Sequence, residues 1–428
     1  MNTKNLHLYT RLPRQIEQTM KVVILCFITL TVAGAKAQTY FDFTTEVNRA
    51  KHDDNLIETI RTSLKQPLSP ATEGNWRKAF WAMELMLYKT SETKEKLAQA
   101  WKAAPALSEN FQKALLEVSY TLYHASFTKE VNGLLITTTS PAVFIRCAEY
   151  LMLTKSVSRK KIKRLLQLHF NKNDFTGFKI LEQRLSSNHI NKTPPLQDIF
   201  SKNFLPGQTI IYSLQRQNRN YAGLVLIRKA DGSFVKERDG TLFHTVQLAR
   251  AITKYPFYIT NGNTPQGIYR WTGFDTSSNA YIGPTPNLQM VMPYEASPAV
   301  FFGNRADSTS SWSQEGYAKL LPALWRTYNG MYESFFAGAM GRSEIIMHGT
   351  TINSNYYKGQ HYFPQTPSLG CLCSFEEWNK EGKLIVSNQQ KIITALNNIG
   401  SKSGYVIVID LDNKNEAVTL QDVTKLFY

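Results

Sequence analysis

A change of pattern at residues 191–195, which read Asn-Lys-Thr-Pro-Pro, most constrains how this 428-residue chain can fold. Before it, apolar residues recur at the spacing of one helix face, for example Trp76, Phe80, Met83 and Leu87. After it, β-branched and aromatic runs alternate with turn residues. Since the two prolines disfavour a continuing helix, we place a linker there. The sequence therefore predicts an α+β protein, with a helical accessory domain over 38–195 and a mostly β domain with short helices over 196–428.

Short β-rich runs and turn pairs define the second part in more detail. We predict strands at 224–227, 257–260, 288–292, 345–347, 384–386 and 405–409. Two helices are expected among them. One opens at a Ser-x-x-Glu capping box that begins at Ser374 and runs through Trp378, and the other covers 389–396. In the first part, Ser158 is the predicted N-cap of a helix with one apolar face.

The N-terminal residues 1–37 predict export. Lys21 precedes an unbroken apolar or small run at 22–32, and an Ala-Lys-Ala sequence follows and ends at Ala37. This order is typical of a secretory signal peptide cleaved after Ala37, although an ordinary buried segment is the alternative. Since a membrane-spanning helix needs about 20 apolar residues, we expect no transmembrane span in the mature chain. The predicted location is the periplasm or the cell envelope.

The chain is strongly basic. It holds 49 Lys and Arg residues against 33 Asp and Glu residues, a net charge of +16, which favours an anionic partner. Basic residues concentrate between Lys155 and Arg184, as is typical of a solvated helix face or of a docking face for an anionic polymer. Nucleic acid is not expected as the partner, because no nucleic-acid-binding motif accompanies the charge. The sequence does not indicate an oligomeric state.

Two cysteines near the C-terminus lie in a setting that favours nucleophilic chemistry. Cys371 and Cys373 follow turn-forming residues and precede the first predicted helix of the second part. Backbone N–H groups and the positive end of that helix would favour a thiolate. His348 ends a predicted strand and is followed by Gly349, so it can face a cleft. A cysteine with such a base suffices for covalent acyl transfer, with the N–H groups of Gly370 and Cys371 as oxyanion donors.

Other interpretations of these residues stay open from spacing alone. A single cysteine or histidine is more often structural than catalytic. Cys371, Cys373, His348 and His361 also match a Cys2His2 set of zinc ligands, although Cys-x-Cys is tighter than the usual zinc spacing. Cys373 could instead form a disulfide with Cys147. The chain has four cysteines in all, too few and too scattered for a disulfide scaffold.

A third segment favours the acyl-transfer interpretation. A Thr-Pro-Gln-Gly-Ile-Tyr sequence comes first, a strand ending in His-Gly follows, and a Ser-Leu-Gly-Cys loop comes last. In this order the three pieces resemble the catalytic domain of the L,D-transpeptidases, cysteine enzymes that act on bacterial peptidoglycan. The resemblance covers about residues 205–412. The matching residues are Thr264, Pro265, Gly267, Tyr269, His348, Gly349, Ser368, Gly370 and Cys371.

The resemblance implies a reaction and a role for each matching residue. The thiolate attacks the carbonyl between a diamino acid and the terminal D-alanine of a stem tetrapeptide, D-alanine leaves, and an amine of a neighbouring stem or water resolves the thioester. A backbone carbonyl orients the histidine, and neither a metal nor another cofactor takes part. The implied roles are Cys371 as nucleophile, His348 as general base, Gly370, Ser368 and Gly349 as oxyanion or loop support, and Tyr269 and His361 as substrate-binding residues.

The chain departs from the family pattern at three places. Leu369 stands where the loop histidine is usual, and Cys373 stands where an Arg or Asn is usual. An aromatic insert at 356–362 lengthens the stretch between His348 and the loop. These changes leave two alternatives open: an L,D-carboxypeptidase with the same Cys-His site, and a non-catalytic peptidoglycan-binding scaffold.

Overall fold

The computed structural model describes residues 43–170, 175–186, 192–303 and 311–424. The predicted signal segment, residues 1–37, lies outside these described residues. The described chain up to residue 186 is helical, as predicted. Its helices are α1 Glu46–Lys65, α2 Glu73–Met86, α3 Ser91–Ala103, α4 Glu109–Tyr123, α5 Thr128–Thr137, α6 Pro141–Leu153, α7 Arg159–Phe170 and α8 Thr176–Ser186, with 3-10 turns at Ala104–Ala106 and His124–Phe127.

Local signals explain where these helices begin and which faces they bury. Side-chain oxygens that accept first-turn N–H groups cap four of them, from Thr45, Thr90, Ser108 and Ser140. Ser158 caps α7 as predicted, because its hydroxyl accepts the N–H of Lys161 at 3.3 Å. Of the predicted apolar stripe, Trp76, Phe80 and Met83 of α2 are buried in the core between the helices, and Leu87, directly after α2, packs against that core partly buried.

The remainder of the described chain is built on an eight-stranded mixed sheet. Its strands are β1 Thr209–Arg216, β2 Gly223–Arg228, β3 Thr245–Gln247, β4 Gly267–Asp275, β5 Asn287–Val291, β6 Met347–His348, β7 Leu372–Cys373 and β10 Gly404–Asp412, while β8 Glu376–Trp378 and β9 Leu384–Ser387 form a separate hairpin. The order is β3-β2-β1-β10-β4-β5-β6-β7. Neighbours are antiparallel except β1 with β10 and β6 with β7.

Short helices surround the sheet. They are α9 Gln197–Phe200, α10 Pro298–Phe302, α11 Gln314–Ala318, α12 Glu333–Ala339, α13 Asn388–Asn398 and α14 Gln421–Thr424, with 3-10 turns at Ala323–Thr327, Asn329–Tyr332 and Ser354–Tyr357. The predicted helix at 389–396 is confirmed as α13. A helical first region followed by a sheet with short helices confirms the α+β organisation at that level.

Alternate residues of the central strands contribute to two hydrophobic cores. Ile210 of β1 and Ile407 of β10 pack in one cluster, whereas Ile211 and Val408 pack in the other. Both strands are buried along most of their length, and burial on both faces explains the continuous apolar run of β10 at 405–409. The central sheet is therefore anchored on both faces.

The two edges of the sheet meet beside the predicted nucleophile. Leu248, directly after β3, exchanges backbone hydrogen bonds of 2.8 and 2.9 Å with Cys373 of β7. This bridge nearly closes the sheet, and it fixes β7 from one side while β6 fixes it from the other. The two short strands that carry the candidate histidine and cysteine are consequently held within a continuous hydrogen-bonded network.

Two predicted elements are wrong, and each has a physical reason. The capping box at Ser374 does not open a helix: the Ser374 N–H donates to the carbonyl of His348, and Glu376 is buried at the start of β8. Residues 257–260 form turns rather than a strand. Their side chains Tyr258 and Ile259 pack into the core of the helical region, a contact that no local pattern encodes.

The helical region and the sheet region share this core. Ile252 and Tyr255 join Tyr258 and Ile259 in the cluster formed by the helices. The hydroxyl of Tyr258 donates to Glu149 of α6 at 2.6 Å. One hydrophobic core therefore crosses the predicted domain boundary. In the part of the chain described above, no helix combines the length and apolar character of a membrane span.

Candidate active site

The parallel pairing of β6 with β7 brings the candidate base and nucleophile to one face. Met347 lies opposite Leu372, and His348 lies opposite Cys373. Because successive side chains alternate between faces, the fully buried Met347 and Leu372 occupy one face, and His348 and Cys371 share the other. His348 and Cys371 both line a cleft of about 810 Å³.

His348 is held as a neutral ring with a defined orientation. Its Nδ1 lies 2.5 Å from the carbonyl oxygen of Gly349, so Nδ1 carries the proton and donates. Nε2 is consequently the basic nitrogen. The ring is buried, and desolvation lowers its pKa below the usual value, although the Gly349 hydrogen bond opposes this shift. A neutral imidazole is the protonation state that a general base requires.

Cys371 is partly accessible, and its thiol is neutral in this arrangement. The thiol donates to the carbonyl of Glu344 at 3.4 Å, rather than to His348. Burial raises its pKa, while a hydrogen bond from the N–H of Ile346 and the charge of Arg342 oppose that effect. The prediction that a helix terminus lowers this pKa is wrong, because strand β8 stands where that helix was expected.

The loop before Cys371 has a backbone conformation that favours glycine. Gly370 has φ +122°, and a Cβ there would overlap the Arg342 guanidinium and lie 2.8 Å from the carbonyl oxygen of Gly262. Ser368 closes the loop by accepting the Gly370 N–H at 3.0 Å and donating to the Cys371 carbonyl at 2.8 Å. The N–H of Gly370, a predicted oxyanion donor, is therefore already paired with Ser368.

Thr264 of the first motif segment holds the same loop in place, and the buried Arg342 holds the backbone before Thr264 through hydrogen bonds. Thr264 donates to the carbonyl of Gly370 at 2.8 Å. Arg342 donates to the carbonyl oxygens of Gly262 and Asn263 at 3.0 Å each, and to that of Phe257. Arg342 belongs to no sequence motif and was not predicted as a site residue; its burial lowers its pKa to about 10. Its position shortly before the His348 strand was the only available signal.

Gly349 permits the close approach of a buried carboxyl group. A Cβ at Gly349 would overlap the Glu376 carboxylate. Glu376 accepts the N–H of Thr350 at 3.0 Å and the hydroxyl of Ser387 at 2.6 Å, and desolvation raises its pKa to about 7. This contact fixes the backbone directly after His348.

The two predicted substrate-binding residues lie away from the cleft. Tyr269 is fully buried, and its hydroxyl donates to the carbonyl of Pro265 at 2.7 Å. The ring therefore packs in the core and supports the first motif. His361 is exposed and stacks on Tyr221 with 5.0 Å between ring centroids, and neither ring lines the cleft that holds Cys371.

The alternative interpretations of the cysteines gain no geometric support. Cys147, Cys371 and Cys373 are all free thiols, so the Cys147–Cys373 disulfide is not formed. His361 is not brought to Cys371 and His348. Throughout the described ranges, no three His, Cys, Asp or Glu side chains are grouped as metal ligands would be. Cys373 is 1% exposed and contacts the hydroxyl of Thr366 at 3.5 Å.

The helical region supplies part of the cleft wall. Trp81 and Leu85 of α2 line the cleft together with Tyr281 from the β4–β5 connection. The rings of Trp81 and Tyr281 pack edge to face, with 5.1 Å between centroids. Trp81 falls outside the predicted apolar stripe of its helix, so the sequence offered no reason to associate it with the site.

Comparison of the chain with known protein families, with curated proteins and with solved structures finds no match. The assignment of a function therefore depends on the site itself. It joins an oriented neutral imidazole, a partly accessible thiol and a braced glycine loop along one cleft.

Proposed function

We propose that this chain is an exported cysteine acyltransferase of the L,D-transpeptidase type, acting on the stem tetrapeptides of peptidoglycan. The observation that carries the proposal is the placement of Cys371 and His348 on one face of the β6–β7 pair in a common cleft. The three motif segments meet at this point, since Thr264 and Ser368 both bond to the loop that presents Cys371.

In the proposed reaction, His348 Nε2 takes the proton of the Cys371 thiol as the sulfur attacks the carbonyl carbon before the terminal D-alanine. A C–S bond forms, and the N–H of Cys371 is the candidate donor to the resulting oxyanion. The imidazolium then returns its proton to the leaving amine, the C–N bond breaks, and D-alanine departs. An amine or water resolves the thioester by the same proton path.

The resting site is a neutral thiol and a neutral imidazole, because burial disfavours both charged forms. Proton transfer therefore accompanies attack on a bound substrate, and no ion pair is formed beforehand. Before attack the thiol must leave the Glu344 carbonyl and turn toward the imidazole.

The departures from the family pattern affect substrate contacts rather than the nucleophile. Cys373, in place of an Arg or Asn, is buried and offers the cleft no polar group. Leu369, in place of a histidine, is 47% exposed and lines the cleft. The substrate surface beside the nucleophile is therefore more apolar than the family pattern implies.

Release of D-alanine from a tetrapeptide muropeptide tests the proposal. We expect the mature protein to release it, and Cys371→Ala to lose at least about 10³-fold in rate, as expected when a nucleophile is removed. Cys373→Ala is the matched control and should keep the activity, because its thiol does not reach the cleft. Equal activity of Cys371→Ala and the unmodified protein would contradict the assignment.

A further inference from the structure

A second cavity opens beside the cleft, between the helices and the sheet region. This groove has a volume of about 330 Å³. Five residues line both cavities: Trp81, Ile252, Thr260, Asn261 and Leu369. Leu369, two residues before Cys371, lines both cavities, so the groove opens beside the loop that presents Cys371. A molecule that reaches the thioester from this side would pass Trp81 and Leu369.

Among the described residues, one cationic side chain of the groove, Arg77, forms no ion pair. Arg146 donates to Glu117 at 3.1 Å, and Glu117 also accepts from Asn261 at 3.3 Å, so these two charges neutralise each other. Lys113 pairs with Glu109 at 3.0 Å. Arg77, which is exposed on α2, forms no ion pair within the described ranges.

The acidic group that remains in the groove does not compensate Arg77. Glu84 is buried and accepts the hydroxyl of Thr121 at 3.2 Å. Desolvation and the neighbouring Glu117 raise its pKa well above the usual value. The groove therefore presents the exposed Arg77 guanidinium, with the apolar side chains of Trp81 and Leu369 between it and the cleft that holds Cys371.

We propose that this groove binds the second substrate, an amine acceptor that carries a carboxylate some distance from the reacting amine. The acceptor's carboxylate would lie at Arg77, its carbon chain would cross Trp81 and Leu369, and its amine would reach the acyl group on Cys371. The inference rests on the proposed function, and it gives the helical region a role in selecting the acceptor.

The transfer step is balanced within this arrangement. The acceptor's neutral amine attacks the thioester carbonyl, a C–N bond forms and the C–S bond breaks. His348 takes the proton released by the amine and returns it to the Cys371 sulfur. Water follows the same path without using the groove and gives the hydrolysed stem instead. The ratio of transfer product to hydrolysed product therefore reports on occupancy of the groove.

Two probes that differ only at the carboxylate test this inference. The protein acts on a tetrapeptide donor with either Nα-acetyl-lysine or its carboxamide, which offer the same side-chain amine. We expect a transfer-to-hydrolysis ratio about fivefold higher with the carboxylate probe, because a single exposed ion pair strengthens binding by about that factor. Arg77→Gln should abolish that preference. Lys78→Gln, an exposed neighbour on the same helix that does not line the groove, should keep it.

The outcomes separate this inference from the proposed function. D-alanine release with equal transfer to both probes, or a carboxylate preference that survives Arg77→Gln, would overturn the groove assignment and leave the cysteine chemistry intact. Failure of the unmodified protein to release D-alanine would overturn the proposed function, and the acceptor site with it.

Discussion

The two ends of the Cys371–Cys373 segment present the same chemical group in different surroundings. Cys373 lies directly opposite His348 in the strand register, yet its side chain is covered and contacts Thr366. Cys371 lies diagonally across from His348 and lines the cleft. Closeness along the sheet therefore does not distinguish the two thiols. Access to the cleft does, and the braced glycine loop provides that access for Cys371.

The largest expected effect follows from replacing the candidate base, His348, which lies beside the Cys371–Cys373 segment. His348→Gln should lower the rate of D-alanine release by about 10²- to 10⁴-fold, because proton removal from the thiol is lost. Thermal unfolding should show a folded protein. His361→Gln is the matched control, since its ring stacks on Tyr221 outside the cleft. Comparable losses in the two variants would contradict the role of His348.

The backbone of the glycine loop before Cys371 provides the next test. Gly370→Ala should lower the free energy of unfolding by about 3 kcal/mol, because the new Cβ meets both an unfavourable φ and the Gly262 carbonyl. Gly359→Ala shares a positive φ, +85°, with open space around it, and should cost about 1 kcal/mol. Denaturant unfolding measures both. Equal losses would show that the loop is not braced as described.

Near Cys373, the buried carboxyl group of Glu376 should make the stability of the protein depend on pH. The unfolded chain ionises this group near its ordinary pKa of 4.5, whereas the folded chain keeps the proton up to about pH 7. Stability due to this group is therefore highest below pH 4.5 and falls as pH rises to 7, by about 3 kcal/mol. Glu376→Gln should remove that part of the pH dependence. Glu377→Gln, its exposed neighbour, should leave it unchanged.

The smallest effect compares the two thiols directly. Iodoacetamide should modify Cys371 at least about tenfold faster than Cys373, because burial raises the pKa of Cys373 to about 12 and covers its sulfur. Peptide mapping after timed alkylation of the native protein gives the two rates. Equal rates would show that Cys373 is as accessible as Cys371 and would contradict the difference between the two thiols.

Local patterns predicted much of the fold because they encode local structure. The β-branched run at 405–409 became β10, and Ser158 capped α7. The same kind of reasoning failed where a distant partner decided the outcome. The predicted capping box at Ser374 forms no helix, because the Ser374 N–H donates to the carbonyl of His348 and the neighbouring Glu376 carboxylate accepts from Thr350 and Ser387. A capping signal four residues long cannot reveal such partners.

The residues of the candidate site likewise fall into those that a local motif reveals and those that only distant contacts place. Cys371, His348 and Ser368 lie in short motifs, so the sequence could nominate them. Arg342 and Trp81 act through contacts with segments far away along the chain, and neither belongs to a motif. Tyr269 belongs to a motif, yet it supports the loop from the core rather than contacting the cleft.

The most direct test of the account is the intact mass of the mature protein during reaction with a tetrapeptide muropeptide, followed by peptide mapping of the modified residue. We predict a transient mass increase equal to the substrate minus D-alanine, located on Cys371, present in Cys373→Ala and absent in Cys371→Ala. D-alanine release without any adduct on Cys371, or an adduct located on Cys373, would contradict the account.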